Sequence, residues 1–277
     1  MSDMIQDIFS IKKKLIVITG AAGLLGQEHA ISISAFKGIP ILLDLNEAKL
    51  KALSKRIKEN FNLEAPYFKV DITSEAEVRD LSKKIQNEIG AVDGLINNAA
   101  NNPRLEVSNK NFSRLENFPL DQWHQDLSVG LTGSFLCSKY IGQSISQNEN
   151  GGVILNISSD LGLIAPDQSL YSIDNLTQEE QPVKPVSYSV VKTGIIGLTR
   201  YLSTYWPDQN VRCNALCPGG VKNNQSSEFI SRVIKKIPLS RLANPNDYHG
   251  AVVWMMSDAA SYLNGAVIAV DGGRSVW

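Results

Sequence analysis

Short apolar runs alternate along this chain with longer amphipathic stretches. Seven runs have the length and composition of buried strands, and they cover residues 15–19, 39–43, 67–70, 94–96, 152–157, 211–216 and 266–270. The amphipathic stretches have helical spacing and cover residues 26–36, 46–60, 74–88, 122–146 and 186–205. Strands that are apolar throughout and separated by helices indicate a parallel sheet covered on both faces. The pattern therefore predicts an α/β fold with about seven strands.

The alternation continues without a linker, an internal repeat or a low-complexity stretch, so we expect residues 1–277 to form a single domain. Two irregular insertions interrupt it, at residues 102–119 and 165–185. The second insertion is rich in Asp, Gln, Glu and Pro and ends just before the helix predicted at residues 186–205.

Composition and charge argue against several classes of partner. Hydrophobic residues make up 43% of the chain, and the formal net charge is −1, which gives no electrostatic reason to expect nucleic acid or a membrane surface. The first ten residues contain two Asp and no apolar core of a signal peptide, and no apolar run reaches the roughly 20 residues of a membrane span. Cys137, Cys213 and Cys217 lack the spacing of a metal site and fit a reducing compartment. We therefore expect a cytoplasmic protein without a metal.

The helix predicted at residues 186–205 carries Tyr188 and Lys192, four residues apart. Side chains at this spacing lie on one helix face and can touch. A neighbouring ammonium favours the phenolate, so the pair is expected to lower the pKa of Tyr188 from about 10 and to make it a base near neutral pH. The same spacing is also typical of a solvated helix face. The Tyr188–Lys192 pair therefore indicates a catalytic site only if the chain also has a nucleotide site and a partner hydroxyl elsewhere.

A glycine-rich turn with Gly20, Gly23 and Gly26 follows the first strand and leads into a helix. Glycines let the backbone approach a pyrophosphate, whose charge the helix N-terminus stabilises. Asp44 ends the second strand, eighteen residues beyond Gly26. A carboxylate there accepts hydrogen bonds from the ribose hydroxyls and repels a 2′-phosphate, which favours NAD over NADP. The alternative interpretation of Asp44 is a helix N-cap.

Further motifs follow this loop in a fixed order, and they are Asn97-Asn98-Ala99-Ala100, Ser158-Ser159, Tyr188 with Lys192, Pro218-Gly219-Gly220 and Val270-Asp271-Gly272-Gly273. Together they resemble the short-chain dehydrogenase/reductase superfamily, in its compact single-domain branch. The resemblance extends from Leu15 to Gly273. It implies a Rossmann-type doubly wound parallel sheet with helices on both faces, and an NAD(P)-dependent oxidoreductase.

The resemblance also implies roles for individual residues. Tyr188 is the acid/base that moves the proton of a carbinol, while the nicotinamide moves the hydride. Lys192 lowers the pKa of Tyr188 and binds the nicotinamide ribose, and Ser159 stabilises the substrate oxygen. The implied cofactor contacts are Gly20, Gly23, Leu25, Gly26, Asp44, Asp71, Ile72, Asn98, Ala99, Tyr188, Lys192, Pro218, Gly219 and Val221. Residues 222–240 are similar to the family's substrate lid, with a mobile helix expected at residues 222–236.

The sequence departs from the family pattern in three places, and the first two concern the glycine loop and the proton relay. The compact branch usually spaces its glycines G-x-x-x-G-x-G, whereas this loop follows G-x-x-G-x-x-G, the spacing of a longer branch that handles nucleotide sugars. The chain is too short for that branch's extra domain, so the loop is interpreted as a variant that still binds a dinucleotide. Gly130 stands where the family carries an asparagine that helps relay protons to the lysine. Ser128 lies two residues away on the helix and is expected to point elsewhere. Hydride transfer does not need the asparagine, so activity is still expected.

The third departure is the long separation between Ser159 and Tyr188. Tyr171 lies nearer the usual distance, but Asn175 follows it four residues later in place of a lysine, so Tyr188 is preferred. The second insertion lies between the two residues and must loop out beside the active site, where such loops shape the pocket. Its polar side chains suit hydroxyl-rich substrates better than steroids or acyl chains.

Three segments narrow the resemblance further, and they cover residues 162–168, 185–192 and 213–221. They are similar to a bacterial subgroup associated with legionaminic-acid and flagellin-glycosylation pathways, which implies a sugar, sugar phosphate or nucleotide sugar as substrate. The prediction is an NAD-dependent enzyme that interconverts a secondary alcohol and a ketone. The alternatives are a 3-ketoacyl-type reductase using NADPH and an NAD-binding, weakly catalytic partner protein in glycan biosynthesis. The family implies a homotetramer, with a dimer as the alternative.

Overall fold

The computed structural model describes residues 8–101 and 113–276, so residues 102–112 of the first predicted insertion lie outside the described residues. Within this range the strands form one parallel sheet in the order β3-β2-β1-β4-β5-β6-β7. They are β1 Leu15–Thr19, β2 Ile39–Asp44, β3 Tyr67–Lys69, β4 Gly94–Asn97, β5 Gly152–Ile157, β6 Val211–Pro218 and β7 Val267–Val270. The predicted Rossmann-type fold class is confirmed.

The helices lie on both faces of this sheet. Their bounds are α1 Leu24–Ala35, α2 Glu47–Phe61, α3 Glu75–Glu88, α4 at residues 120–146, α5 Val186–Ser203, α6 Ser227–Val233 and α7 His249–Met256. Helix α4 contains two π-helical turns, Ser128–Thr132 and Ser138–Gly142, between its α-helical segments. None of the helices in the described part of the chain is both long and apolar enough to cross a bilayer.

Two hydrophobic cores explain why the strands are apolar on both sides. In β1, Ile16 and Ile18 are fully buried in the core beneath α1 and α7, whereas Val17 between them is buried in the core beneath α3 and α4. Burying alternate side chains on opposite faces requires an unbroken apolar strand. Helix α7 is absent from the sequence prediction because nearly every residue in it is apolar, so it shows no polar face of helical period.

The second insertion and the predicted lid pack against each other. Leu170 of the insertion is buried together with three residues from the lid side, Val233, Ile237 and Leu242. An ion pair between Lys236 and Asp167, with Nζ and Oδ2 3.1 Å apart, joins the same two segments. The predicted lid helix at residues 222–236 is shorter in the structure, where α6 is followed by a 3₁₀ turn at Ile234–Lys236.

The order of the strands reverses direction between β1 and β4. In parallel sheets the loops leaving the carboxyl ends of the strands separate at such a point and open a crevice that binds ligands. The glycine turn after β1 and the Asn97–Ala100 segment at the end of β4 meet there.

Candidate active site

A cavity of about 610 Å³ lies along the carboxyl edge of the sheet. All the residues predicted for the site line this cavity except Gly26. The glycine loop and the ends of β2 and β3 form one end of it, and the residues after β5, the start of α5 and the end of β6 form the other. Pro218, Gly219 and Val221 lie on the wall after β6. The topology therefore brings together segments that are far apart in the sequence.

The glycine loop is held tightly against the end of β4. Gly20 has φ +63°, and a Cβ there would lie 2.8 Å from Cα of Ala99. The Asn98 side chain donates to the carbonyls of Thr19 and Gly20 at 3.0 and 3.1 Å. Gly26 supports the loop from behind, since a Cβ there would lie 2.1 Å from the Gly20 oxygen. Gly26 is therefore a packing residue rather than part of the cavity wall.

A dinucleotide fits this end of the cavity. Gly23 is the N-cap of α1 and provides no side-chain cap, so no capping side chain satisfies the first backbone N–H groups of α1. Gly23 and Leu25 line the cavity at this helix end. Unsatisfied donors at a helix N-terminus are suited to a pyrophosphate. Asp71 and Ile72, after β3, lie on the neighbouring wall. These are the features by which related folds hold the adenosine half of NAD.

Asp44 lies at the far wall of the same end. Its carboxylate accepts hydrogen bonds from the backbone N–H of Ala22 and of Asn46, each at 3.0 Å. The N-cap of α2 is Asn46, whose side chain accepts from the N–H of Lys49. The N-cap interpretation of Asp44 is therefore wrong, and Asp44 lines the cavity.

At the opposite end, Ser159, Tyr188 and Lys192 line one wall. Ser159 follows β5, is 5% exposed and donates its hydroxyl to Oδ1 of Asp160 at 2.8 Å. It also caps the short turn that follows, since the N–H of Leu161 lies 3.2 Å from its Oγ. Ser158 fixes the helix opposite by donating to the Lys192 carbonyl at 2.6 Å. The three predicted catalytic side chains therefore share one surface.

The structure reverses the expected effect on Tyr188. Burial raises the pKa of the Tyr188 phenol, and its hydrogen bond with Ser159 only partly opposes this. The Lys192 ammonium is directed elsewhere: it donates to the Ile157 carbonyl at 2.9 Å and lies 5.9 Å from the centre of the Tyr188 ring. Burial also lowers the pKa of Lys192 to about 8. The prediction that Lys192 lowers the Tyr188 pKa is thus wrong for this arrangement.

A buried ion pair that the sequence analysis did not predict lies beside Ser159. Arg274 donates to Oδ2 of Asp160 at 2.9 Å, and the two side chains are 9% and 4% exposed. The position of Asp160 directly after the predicted catalytic Ser159 is the sequence signal that could have indicated it. Arg274 is separated from Asp160 by more than a hundred residues, and no local pattern connects them.

A second unpredicted residue, Lys184, lies over Tyr188. Its ammonium is 3.7 Å from the centre of the Tyr188 ring, closer than that of Lys192. Lys184 and Tyr171 are the residues of the second insertion that line the cavity. None of the acidic side chains of the insertion lines the cavity; Asp167 pairs with Lys236, Asp174 with Arg232, and Glu180 caps the Thr177 turn. The insertion therefore contributes a cation and an aromatic ring to the site, not carboxylates.

Close packing between α4 and α5 explains why position 130 is a glycine. A Cβ on Gly130 would lie 2.3 Å from Cγ1 of Val191, the residue before Lys192. Val191 thus occupies the space that a side chain at position 130 would need. Ser128 does not substitute for the missing asparagine, because Ser128 does not line the cavity, whereas its neighbour Val129 does.

Restoring an asparagine at this position is expected to destabilise the protein. Gly130→Asn overpacks the contact between α4 and α5, and added side-chain atoms in a packed contact lower the free energy of unfolding by about 1–3 kcal/mol. In urea unfolding, Gly130→Asn combined with Val191→Ala should be more stable than the sum of the two single changes implies. Additive effects of the two changes would contradict the proposed clash.

Comparisons with known proteins agree with this geometry. A family model described as enoyl-(acyl carrier protein) reductase matches residues 20–275. NADP-dependent mannitol dehydrogenase of Alternaria alternata is 28% identical over 98% of this chain and 96% of its own length. Post-translational flagellin modification protein A of Campylobacter coli is 27% identical over 95% of this chain and 98% of its own, which fits the subgroup suggested by the sequence.

A solved structure shows the same architecture. The short-chain dehydrogenase of Leptospira borgpetersenii with bound NAD⁺ is 29% identical, covers 96% of this chain and 94% of its own, and superposes with a TM-score of 0.82. The family match covers almost the whole chain, and the superposition with this solved structure covers 96% of it. The chain is therefore an NAD(P)-dependent oxidoreductase that belongs to the short-chain dehydrogenase/reductase superfamily.

Proposed function

We propose that this cytoplasmic, single-domain enzyme uses NAD to interconvert a secondary alcohol and a ketone on a hydroxylated, sugar-type substrate. The observation that carries the proposal is the common surface of Ser159, Tyr188 and Lys192 at one end of a cavity whose other end holds the glycine loop and Asp44. A cavity of about 610 Å³ lies within the usual size range of small-molecule and cofactor pockets.

In this proposal the chain moves a proton and the cofactor moves a hydride. Oxidation of the alcohol releases one hydride from the carbinol carbon and one proton from its oxygen, giving a ketone, NADH and H⁺. When bound, NAD⁺ accepts the hydride. Tyr188 accepts the proton. The Ser159 hydroxyl turns from Asp160 to donate a hydrogen bond to the substrate oxygen as charge develops, and Lys192 holds the ribose beside them.

A substrate screen tests this assignment. Purified protein is incubated with NAD⁺ and, in separate wells, polyols, sugar acids, sugar phosphates, nucleotide sugars and hydroxyacyl thioesters, and NADH formation is followed by absorbance. We expect turnover with the hydroxylated compounds and none with the acyl thioesters. Turnover confined to the thioesters with NADP⁺ would instead support a ketoacyl-type reductase.

Asp44 should determine the preference for NAD. Its carboxylate repels a 2′-phosphate, and the hydrogen bonds it offers the ribose hydroxyls are charge-assisted. Asp44→Ala is therefore expected to lower the ratio of kcat/KM for NAD⁺ to that for NADP⁺ by about 10- to 100-fold. Steady-state kinetics with both cofactors measure this ratio.

Glu47→Ala is the matched control, because Glu47 is an exposed acid three residues along the chain that does not line the cavity. It should leave the ratio unchanged. A wild-type enzyme that prefers NADP⁺, or an Asp44→Ala variant with the wild-type ratio, would contradict the proposed role.

We also propose that the protein is a homotetramer, with a dimer as the alternative, assembled through α4, α5 and β7. Apolar side chains on the outer faces of the two helices support this, since Phe135, Val190 and Tyr201 are 49%, 40% and 61% exposed. Residues 222–240 and the second insertion, which pack together, are proposed to close over the substrate.

A further inference from the structure

A buried carboxylate joins α4 to the first turn of α5. Asp126 of α4 is 4% exposed, and its Oδ2 accepts a hydrogen bond from the hydroxyl of Ser187, which is 1% exposed. The other oxygen, Oδ1, accepts a hydrogen bond from Nε2 of Gln122 at 2.7 Å, one turn earlier in α4. Neither Asp126 nor Ser187 lines the cavity, so the two residues act on the site only through the residues that do.

The carboxylate lies beside a helix end that lacks a cap of its own. Helix α5 begins at Val186, its N-cap Pro185 makes no side-chain hydrogen bond, and its first turn contains no acidic residue. The first backbone N–H groups of a helix have no intrahelical partner, and negative charge near them is stabilising. Asp126 brings such a charge from the neighbouring helix. The hydrogen bond that it accepts from Ser187 is charge-assisted and therefore stronger than one between neutral groups.

The same turn of α5 carries Tyr188, which directly follows Ser187. The next turn carries Lys192, and there the two helices meet through the close contact of Gly130 with Val191. Helix α4 thus contacts α5 at the residue before each of the two predicted catalytic side chains. The contact before Lys192 is apolar packing, whereas the contact before Tyr188 is a hydrogen bond to a buried carboxylate.

We propose that Asp126 is a positioning residue, which holds the Tyr188 phenol at the reacting oxygen of the substrate through its hydrogen bond with Ser187. The inference rests on the proposed acid/base role of Tyr188 in alcohol oxidation. Loss of the hydrogen bond frees the first turn of α5, and a displacement of about 1 Å can lower a rate about 10²-fold. Lys192 is held independently, because its ammonium donates to the Ile157 carbonyl at 2.9 Å. The cofactor site should therefore stay intact when Asp126 is changed.

Steady-state kinetics with NAD⁺ and three probe alcohols, D-mannitol, D-sorbitol and D-gluconate, test the role of Asp126. Asp126→Ala removes both hydrogen bonds and should lower kcat about 10- to 100-fold. The KM for the probe and the NADH affinity from fluorescence titration should stay within about threefold of wild type, because Asp126 does not line the cavity. Asp126→Asn should recover most of kcat, since its amide oxygen still accepts from Ser187 and its NH₂ group can donate to a rotated Gln122 amide.

Ser187→Ala breaks the same hydrogen bond from the other side and removes a single oxygen, so it tests the inference even if Asp126→Ala folds poorly. It should lower kcat by a similar factor. The two changes combined should lower kcat no further than Asp126→Ala alone, because both remove one interaction. Asp121→Asn, at an exposed acid in the first turn of α4, is the control and should behave as wild type.

Two further readouts separate the placement of Tyr188 from a general effect on the fold. In a Tyr188→Phe background, Asp126→Ala should change the residual rate less than about threefold, because no phenol is left to be positioned. Hydrogen exchange of the peptide that covers residues 185–192, measured by mass spectrometry, should be faster in Asp126→Ala than in wild type, while the exchange of α1 stays unchanged. The exchange measurement does not depend on turnover.

Two results would overturn the inference. One is an Asp126→Ala variant with the kcat of wild type or with wild-type exchange of residues 185–192. The other is a loss of rate in the Tyr188→Phe background as large as in the wild-type background, which would mean that Asp126 supports the fold in general. Failure of the proposed function has a different signature, namely faster exchange in Asp126→Ala with no NADH formed by wild-type protein from any alcohol.

Discussion

Tyr188→Phe is expected to reduce turnover by roughly 10²- to 10⁴-fold, the range contributed by a positioned general acid or base. The change removes a single oxygen and leaves the ring that packs beneath Lys184. NADH affinity, measured by fluorescence titration, should therefore stay within a few-fold of wild type. The pH profile supplies a second readout. Burial raises the pKa of Tyr188 above its ordinary value, so the phenol is mostly protonated at neutral pH. The basic form that accepts the proton increases as the pH rises, and wild-type alcohol oxidation should therefore speed up toward alkaline pH.

Tyr171→Phe provides the comparison. Tyr171 is a second tyrosine of the same cavity, and its ring packs against Phe229 with centroids 5.5 Å apart. Loss of its hydroxyl should lower turnover less than about tenfold and leave the pH profile in place. A Tyr188→Phe variant that retains both the rate and the pH dependence of wild type would assign proton transfer to another group.

Arg274→Met is expected to lower the free energy of unfolding by about 3–5 kcal/mol, because it leaves the Asp160 carboxylate buried without its partner. Only 4% of the Asp160 side chain is exposed, so water cannot replace the guanidinium. Removing the charge as well, in Arg274→Met with Asp160→Asn, should recover most of the loss. Urea unfolding of the wild type and of these two variants measures the effect.

The control is Arg241→Met, which breaks an ion pair of the same chemistry at the surface. The Arg241 and Asp247 side chains are 50% and 31% exposed, and such pairs contribute about 0–1 kcal/mol. If Arg274→Met were as stable as Arg241→Met, the Asp160 carboxylate would have to be solvated or neutral. The proposed matching of its charge by Arg274 would then be wrong.

Much of the fold follows from local patterns. The bounds of β1 and β5 agree with the sequence prediction, and the Ser74 cap fixes the start of α3 where the amphipathic pattern begins. These agree because apolar runs and capping residues act over a few positions. Helix α7 was missed because a fully buried helix has no polar face to reveal its period.

The sequence by itself determined the fold class, the family and the residues that line the cavity at the ends of strands. It placed Ser159 and Tyr188 in one site because the family motifs fix their register. The tertiary structure alone decided what surrounds them. Lys184 stands four residues before Tyr188, but α5 begins only after Pro185, so helical spacing cannot relate the two. Arg274 forms an ion pair with Asp160, which lies more than a hundred residues away in the sequence. Burial raises the pKa of Tyr188. Charge and burial depend on distances between remote segments, and those distances exist only once the sheet has brought its loops to one edge.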